Sequence, residues 1–256
     1  MTPRKIRRYG WRKDIPDPRD FKYMCPHHIR VSRPPVMDLR PSMPPVYDQG
    51  ELGSCTGNGI AGALQYDKIL QKASDADIVP SRLFIYYNER VIEGDPSVDG
   101  GAQIRDGAKA VSTQGFCGED IWPYDISQFA TLPPATCYDV ASKHIASSYL
   151  SIFQSLDDIL GCIAEGYPVV FGFTVFESFE SGDVEQTGVM PMPGPSEAIL
   201  GGHCVMAVGY SDASKYVICR NSWGDGWGEK GYFYMPYPYI SSPDLASDFW
   251  TFRKVS

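Results

Sequence analysis

The segment from Pro45 to Tyr66 constrains this chain most, because in it a turn-rich loop runs directly into a helical pattern with a cysteine at the junction. Gly50 and Gly53 lie in the loop, and glycine adopts backbone conformations that a side chain would forbid. Beyond Cys55, apolar residues recur at roughly helical spacing. The segment therefore predicts that Cys55 lies at or near a helix N-terminus, where the helix dipole and free backbone N–H groups favour a thiolate.

Cys55 alone does not identify a nucleophile. Free cysteine is among the most buried residue types, so a structural thiol in a core helix explains this segment equally well. Gly57, Gly59 and Gly62 follow in the helix, where each costs about 1 kcal/mol relative to alanine. Their presence predicts that the helix is buried and that another backbone packs closely against it.

Two later segments favour a nucleophile. His203 lies in a glycine-rich run, and Asn221 opens the sequence Asn-Ser-Trp-Gly-Asp-Gly-Trp-Gly. His203 follows Cys55 by 148 residues, within the roughly 130–150 residues that separate catalytic cysteine and histidine in papain-like enzymes. Together with Gln49, six residues before Cys55, these segments resemble the papain family of cysteine peptidases. The resemblance covers the chain from about Val36 to its end.

The resemblance implies roles for four side chains. Cys55 would be the nucleophile, and His203 would hold it as a thiolate–imidazolium pair and then protonate the leaving amine. Asn221 would orient the imidazole, and the Gln49 amide and the Cys55 backbone N–H would bind the oxyanion of the tetrahedral intermediate. The implied function is that of a cysteine-type endopeptidase, which hydrolyses peptide bonds through a Cys55 thioacyl intermediate.

The resemblance also implies a cleft for an extended peptide. The expected substrate-binding residues are Gly53, Ser54, Gly100, Gly101, Gly202, Trp223 and Trp227. The glycine pair at 100 and 101 would pair with substrate through its backbone, although Asp-Gly-Gly also favours an ordinary turn. Trp223 would cover the hydrogen bond between histidine and asparagine.

Two positions depart from the family pattern and change the cleft wall. Thr56 follows the nucleophile where tryptophan is usual, and Gly202 precedes the histidine where Asp or Asn is frequent. Both changes leave the catalytic groups in place. Cys204, Gly172 and the segment around Asp248 are expected to shape the pocket for the second residue before the cut, where an acidic floor would favour a basic side chain.

Helical patterns come first and strand patterns later, which predicts an α+β chain of two lobes. One predicted helix begins at Cys55, and three more are Pro80–Ile92, with Ser81 as its N-cap, Ile104–Thr113 and Ser155–Glu165. The predicted strands are Tyr167–Phe176, His203–Tyr210, Tyr216–Asn221 and Gly231–Met235. We place a helical lobe at about 44–146 and a β-rich lobe at about 147–250. The resemblance implies a papain-like fold, with a helical left lobe, a β-barrel-like right lobe and the active site in the cleft between them.

Composition excludes several classes of protein. Hydrophobic residues make up 43% of the chain, which excludes disorder of the whole, and no apolar run reaches the roughly 18 residues of a membrane span. The first eight residues are basic with no apolar stretch behind them, so this is not a secretory signal as it stands. Leu52 and Val98 fill positions where the family commonly has a bridging cysteine pair. We therefore expect the six cysteines other than Cys55 to be free, and a cytoplasmic location rather than a secreted one.

Residues 1–35, the arm, are basic and precede an acidic body. The arm holds ten basic and three acidic residues, a net charge of +7, and the rest of the chain carries −15. The arm's aromatic residues, too many for an inert linker, are Tyr9, Trp11, Phe21 and Tyr23. We expect the arm to lie across the cleft as a short inhibitory prosegment of a peptidase domain at 36–256; the alternative is a disordered tail.

Other functions and partners fit the sequence less well. An acyl transferase or deamidase would use the same thioacyl intermediate, and an inactive peptide-binding module would not need all four catalytic residue types. The acidic body makes nucleic acid a poor partner. Cys25, His27 and His28 provide too few well-spaced ligands for a metal site. We expect a peptide or protein substrate, no cofactor or metal, no membrane association and a monomer.

Overall fold

Eight α-helices and eight β-strands are formed within residues 9–255, the part of the chain that this computed structural model describes. The helices are α1 (His27–Ser32), α2 (Cys55–Leu70), α3 (Arg82–Ile92), α4 (Ile104–Thr113), α5 (Ala135–Ala141), α6 (Leu156–Ala164), α7 (Gly182–Thr187) and α8 (Tyr237–Ser241). The strands are β1 (Lys22–Tyr23), β2 (Val36–Asp38), β3 (Ala146–Ile152), β4 (Val169–Phe176), β5 (Ile199–Ser211), β6 (Tyr216–Arg220), β7 (Tyr232–Pro236) and β8 (Ala246–Val255). Four basic residues of the arm, Arg4, Lys5, Arg7 and Arg8, lie outside the described residues.

The first half of the chain packs α2, α3 and α4 against one another. Helix α2 begins at Cys55, as its sequence pattern predicts, and its small residues let α3 come close. A Cβ atom at Gly57 would lie 2.8 Å from the carbonyl oxygen of Arg82, at the start of α3. Ser81 caps α3 by accepting a hydrogen bond from the Phe84 N–H at 3.1 Å, as expected. Helix α4 has its predicted bounds, so all three predicted helices of this half are confirmed.

The second half supplies most of one eight-stranded sheet, in the order β1-β3-β8-β4-β5-β6-β7 with β2 paired to β5. Every pair is antiparallel except β1 with β3. Strands β4 to β7 match the predicted strands within a few residues, and α2 packs on β5. The expected α+β arrangement is therefore confirmed, and it brings the N-terminus of α2 beside the strand that carries His203.

The sequence pattern misses two strands, β3 and β8. Strand β3 alternates poorly because it is rich in serine, and β8 contains Asp248, Arg253 and Lys254. Arg253 is accommodated by Glu165, 3.2 Å away, and by the Tyr167 ring, whose centroid lies 3.9 Å from the guanidinium carbon. The β-rich lobe thus continues to the end of β8, beyond the expected limit at about 250. The charged residues of β8 interrupt the apolar pattern in the sequence, and tertiary contacts such as those of Arg253 compensate these charges in the fold.

From its first described residue onward, the arm lies against the body. Strand β1 pairs in parallel with β3, and α1 packs on α6. Arg30 approaches Asp158 at 3.3 Å and Arg33 approaches Asp212 at 2.8 Å, so basic arm residues meet acidic body residues. Ion pairs near the surface contribute only about 0–1 kcal/mol each, so strand pairing and buried arm aromatics hold the arm more strongly.

Three further observations concern membrane-spanning helices, metal-binding clusters and cysteines. Within residues 9–255, no helix is both long and apolar enough to cross a membrane, and no group of three or more His, Cys, Asp or Glu side chains is arranged to hold a metal ion. All seven cysteines are buried as free thiols.

We expect Ser81→Ala to lower the free energy of unfolding by about 1–2 kcal/mol, because it removes the cap of α3 and leaves an N–H of the first turn without its acceptor. Chemical denaturation measures this loss. Ser112→Ala, which removes a hydroxyl near the C-terminal end of α4, should stay within about 0.5 kcal/mol of wild type. Equal stability of the Ser81→Ala variant and wild type would contradict the capping role.

Candidate active site

Cys55 is the first residue of α2 and is fully buried. The loop before it is held by the Gly50 N–H, which donates to Asp48 Oδ1 at 2.9 Å, and by the Gly53 N–H, which donates to the Asp99 carboxylate at 3.1 Å. The thiol therefore has a fixed position at the positive end of a 16-residue helix.

His203 lies on β5, and Asn221 directly follows the neighbouring strand β6. His203 Nε2 and Asn221 Oδ1 are 2.8 Å apart, and the same oxygen accepts the Ser222 N–H at 2.8 Å. An amide oxygen can only accept, so Nε2 carries the proton and Nδ1 keeps the lone pair. The tautomer that results has its basic nitrogen free to take a proton from a nucleophile.

Aromatic rings cover this pair. The Trp223 ring stacks on His203, with ring centroids 5.0 Å apart and an interplanar angle of 28°. Trp227 packs edge-on behind Trp223 at 5.0 Å, and Phe179 packs on both tryptophans. Trp223 therefore shields the hydrogen bond between His203 and Asn221, as expected, whereas Trp227 supports Trp223 from behind.

Gln49 joins the loop before Cys55 to the segment after β6. Its backbone N–H donates to Ser222 O at 2.9 Å, and its side-chain Oε1 accepts from Ser222 Oγ at 2.6 Å. One hydrogen of Nε2 donates to Leu52 O at 2.9 Å. The side chain is thus fixed on both sides, and the second Nε2 hydrogen is left to serve an oxyanion.

The arm runs through the cleft between these groups. The Trp11 N–H donates to Gly202 O at 2.9 Å, on the β-rich side. Gly10 O accepts from the Ala102 N–H at 2.7 Å, and the Arg12 N–H donates to Ala102 O at 3.0 Å, on the helical side. The backbone of residues 10–12 is therefore hydrogen-bonded to both walls, in parallel register with Ala102.

Glycine makes this close approach possible. A Cβ atom at Gly10 would overlap the Gly53 carbonyl, and one at Gly101 would overlap the Gly10 carbonyl. Gly101 also has a positive φ of 73°, which other residues rarely adopt. The indole of Trp11 lies on Gly172 and Gly202, in the space that their side chains would fill.

The pocket that holds Trp11 ends at a carboxylate. The Trp11 Nε1–H donates to Asp248 Oδ2 at 3.1 Å. Asp248 itself has a φ of 61°, uncommon for a residue with a side chain. Cys204 borders this region, since it is the register partner of Gly172 between β5 and β4. The expected acidic floor is therefore present, and in this structure it binds the arm.

Burial disfavours charge on the cysteine and the histidine of the covered site. Burial raises the pKa of the Cys55 thiol to about 12, and backbone N–H groups of Cys204 and Gly10 offset this only partly. Burial also lowers the pKa of His203 to about 4, against a smaller opposite effect of the hydrogen bond with Asn221. Burial under the arm therefore disfavours the expected thiolate–imidazolium pair, because charged groups lose solvation there.

The other expected substrate-binding residues divide into two groups. Gly53, Gly101 and Gly202 contact the arm, and Trp223 lies beside Tyr9 with ring centroids 6.4 Å apart. Ser54 turns its hydroxyl towards Tyr124, at 2.5 Å, and the space around Gly100 is open.

Sequence reasoning missed Asp99 and Ala102. Asp99 anchors the loop before the nucleophile, and its place before the glycine pair was the available signal. Ala102 acts only through its backbone, so its side chain gives no signal.

Comparisons with known proteins agree with this geometry. The sequence model for papain family cysteine proteases matches residues 33–243. A protein of Acanthamoeba polyphaga mimivirus, described as an uncharacterized peptidase C1-like protein, is 40% identical over 274 aligned positions, which cover 98% of this chain and 88% of the viral protein. A cathepsin B-like protein of Giardia intestinalis is 29% identical over 235 positions, which cover 87% of this chain and 69% of that protein.

Solved structures give the same result. Xylellain, a cysteine protease from Xylella fastidiosa, superimposes with a TM-score of 0.92 at 41% identity, and the match covers 100% of both chains. Digestive procathepsin L 3 from the larval midgut of Tenebrio molitor superimposes with a TM-score of 0.72 over 90% of this chain and 72% of its own. That second match has 19% identity and shows a shared fold alone.

We expect Cys55 in the full chain to react slowly with a thiol-directed epoxide, and Trp11→Ala to speed labelling at least tenfold. Trp11 is half-buried over Gly172 and Gly202, and loss of a fully buried aromatic side chain costs about 3–5 kcal/mol, so a part of that cost is enough to loosen the arm. Peptide mapping after brief labelling measures the rate at Cys55. Phe21→Ala is the control, because Phe21 is on the same arm but 76% exposed. Equal labelling rates in all three proteins would show that the arm does not protect the thiol.

Proposed function

Because this chain belongs to the papain family of cysteine proteases, we propose that it is an endopeptidase that cleaves substrates through a Cys55 thioacyl intermediate. The observation that carries the proposal is the cleft itself, which already binds an extended backbone on both walls beside Cys55. His203, hydrogen-bonded to Asn221 and shielded by Trp223, supports the role of acid and base.

The proposed reaction begins once a substrate replaces the arm. His203 Nδ1 takes the thiol proton, and the sulfur of Cys55 attacks the scissile carbonyl carbon. The side-chain amide of Gln49 and the backbone N–H of Cys55 hold the oxyanion. The C–N bond then breaks as His203 returns the proton to the leaving amine.

Water completes the cycle. It gives a proton to His203 and attacks the thioester carbonyl, and the acid product leaves as the proton returns to Cys55. Asn221 acts on the transition state by keeping Nε2 protonated and the ring in one orientation. Trp223 supports this role because it keeps water from competing for the Asn221 oxygen.

The arm is proposed to be an inhibitory prosegment that the enzyme does not cleave. It presents the N–H of Gly10 to the Cys55 thiol, whereas attack requires a carbonyl carbon at the sulfur. The Gly10 carbonyl is instead bound by the Ala102 N–H. Tyr9 packs on the His203 ring at 5.9 Å and Trp11 fills the pocket on the other side of Cys55. The arm thus occupies the substrate path with an N–H group directed at the Cys55 thiol.

The catalytic assignment is tested with a fluorogenic peptide set under reducing conditions. Cys55→Ser should abolish turnover, and Asn221→Ala should lower kcat at least tenfold, or about 1.4 kcal/mol, with little change in KM. Asn221 contacts the base and not the substrate, so its loss acts on the transition state. Asn88→Ala is the control, because Asn88 is equally buried but bonds Phe84 and Tyr138 in the helical lobe. An unchanged kcat in Asn221→Ala would mean that another group orients His203.

The inhibitory role of the arm is tested with Gly10→Ala. The added methyl group overlaps the Gly53 carbonyl when the arm is seated, and costs nothing when the arm is free. We expect kcat/KM on a small peptide to rise at least tenfold, the factor that corresponds to about 1.4 kcal/mol of docking free energy. High salt should raise wild-type activity only partly, since it screens the arm's ion pairs but not aromatic burial. If Gly10→Ala and wild type have the same kcat/KM at low and high salt, the arm is not an inhibitor.

A further inference from the structure

Two carboxyl groups meet where the arm leaves the cleft: Asp14 of the arm and Asp248 of β8, here called the carboxyl pair. Asp248 Oδ2 accepts the Asp14 N–H at 2.7 Å and the Trp11 indole N–H at 3.1 Å. The Asp14 carboxyl accepts the Trp250 indole N–H at 2.8 Å and the Arg105 backbone N–H at 3.1 Å. The contacts that hold this part of the arm therefore converge on two acids.

The charges around the carboxyl pair do not neutralise it. The Arg105 guanidinium turns to other arm residues, Asp17 at 2.5 Å and Asp20 at 2.9 Å. Asp106 on α4 adds negative charge beside Asp14, and Lys13 acts on Asp248 only through space. Within the described part of the chain, no cationic side chain forms an ion pair with either member of the carboxyl pair.

The environment favours the protonated acids. Burial, and next to it the negative charge of Asp248, raises the pKa of Asp14 from 3.8 to about 7, although its hydrogen bonds from Trp250 and Arg105 act in the opposite direction. Burial raises the pKa of Asp248 as well. An open cavity of about 450 Å³ borders the pair and is lined also by Asp17, Asp20 and Lys22, so protons can exchange with solvent.

We propose that the carboxyl pair is a proton-operated latch, which holds the arm in the cleft while Asp14 is protonated and releases the arm when that proton is lost. This inference rests on the proposed role of the arm as an inhibitor. Two carboxylates this close repel each other, and only the arm's departure separates them. The latch would make the enzyme open as the pH rises and stay closed in acid.

The direction follows from proton linkage. Released, Asp14 returns to an exposed arm and to its ordinary pKa of 3.8; docked, its pKa is about 7. Docking of the arm is therefore tightest at a pH below 3.8. Between pH 3.8 and about 7, docking weakens by at most about tenfold per pH unit, because one proton is involved. Above about pH 7 it no longer depends on this proton.

Indole resonances test the carboxyl pair directly, without enzyme activity. The full chain, inactivated by Cys55→Ser and labelled with 15N-tryptophan, gives five indole N–H signals. We expect the signals of Trp11 and Trp250, which donate to the carboxyl pair, to titrate together well above pH 5, and the signal of Trp122, which packs in the helical half, to stay unchanged. Midpoints near 3.8, the ordinary value of an aspartic acid, would overturn the latch.

Asp248→Asn tests the repulsion. Asparagine keeps an acceptor for both N–H groups and tolerates the left-handed backbone at this position. We expect its activity, relative to the full-length Gly10→Ala protein, to rise less between pH 5 and 7 than that of wild type, because only burial then raises the pKa of Asp14. In wild type, that ratio should rise by up to about tenfold per pH unit over this range.

Asp17→Asn is the matched control in the arm. Hydrogen bonds from Arg19 and Arg105 hold the pKa of Asp17 below its ordinary value, so it does not titrate between pH 5 and 7. The variant is expected to weaken docking without changing the pH slope. A slope as steep in Asp248→Asn as in wild type, or one that disappears in Asp17→Asn, would overturn the latch. Suppose that the indole signals titrate as expected, but the Gly10→Ala protein is no faster than wild type. The carboxyl pair would then still hold the arm in the cleft, and the inhibitory role of the arm would be rejected.

Discussion

Hydrogen bonding of one stretch of main chain to both walls of the cleft is the interaction on which the state of this site depends. Residues 10–12 bond to Gly202 on one wall and to Ala102 on the other. The same contacts put Gly10 against the thiol of Cys55 and exclude water from it. Burial then raises the pKa of Cys55 and lowers the pKa of His203, so it disfavours charge on both groups. The structure thus shows a cysteine protease in which the arm covers Cys55 and burial disfavours the charged forms of Cys55 and His203.

Backbone recognition explains why so few side chains are needed to hold the arm. Main-chain hydrogen bonds give affinity without sequence preference, and a pocket for one side chain adds selectivity. Here the pocket is the space over Gly172 and Gly202, and Trp11 fills it. A protein substrate would have to bind the same edges, so arm and substrate compete for hydrogen bonds rather than for distinct sites. Under the proposed function, inhibition and catalysis would therefore use the same wall atoms.

Local signals carry most of what the sequence predicts correctly. Helices α2, α3 and α4 follow from apolar spacing and, for α3, from a serine at the cap. Motifs and their spacing predict Cys55, His203 and Asn221 as the candidate site, and their catalytic roles stay predictions. Strand β8 could not be predicted, because its charges are compensated by residues far away in sequence.

Contacts between distant segments account for what was missed at the site. Asp14 and Asp248 are 234 residues apart, and nothing in either neighbourhood marks them as partners. The pKa of Cys55 is raised by burial under the arm. No motif in the sequence encodes that burial. The course of the arm is likewise fixed by carbonyl and amide positions of Gly202 and Ala102, which side-chain identity does not reveal.

Hydrogen exchange on the full-length protein, with and without a peptide inhibitor bound covalently to Cys55, tests most directly whether arm and substrate share these wall atoms. The account predicts that the inhibitor removes protection from the amides of Trp11 and Arg12 while the amide of Ala102 stays protected, because the inhibitor's backbone replaces the arm. Continued protection of the two arm amides, with the inhibitor attached to Cys55, would contradict it.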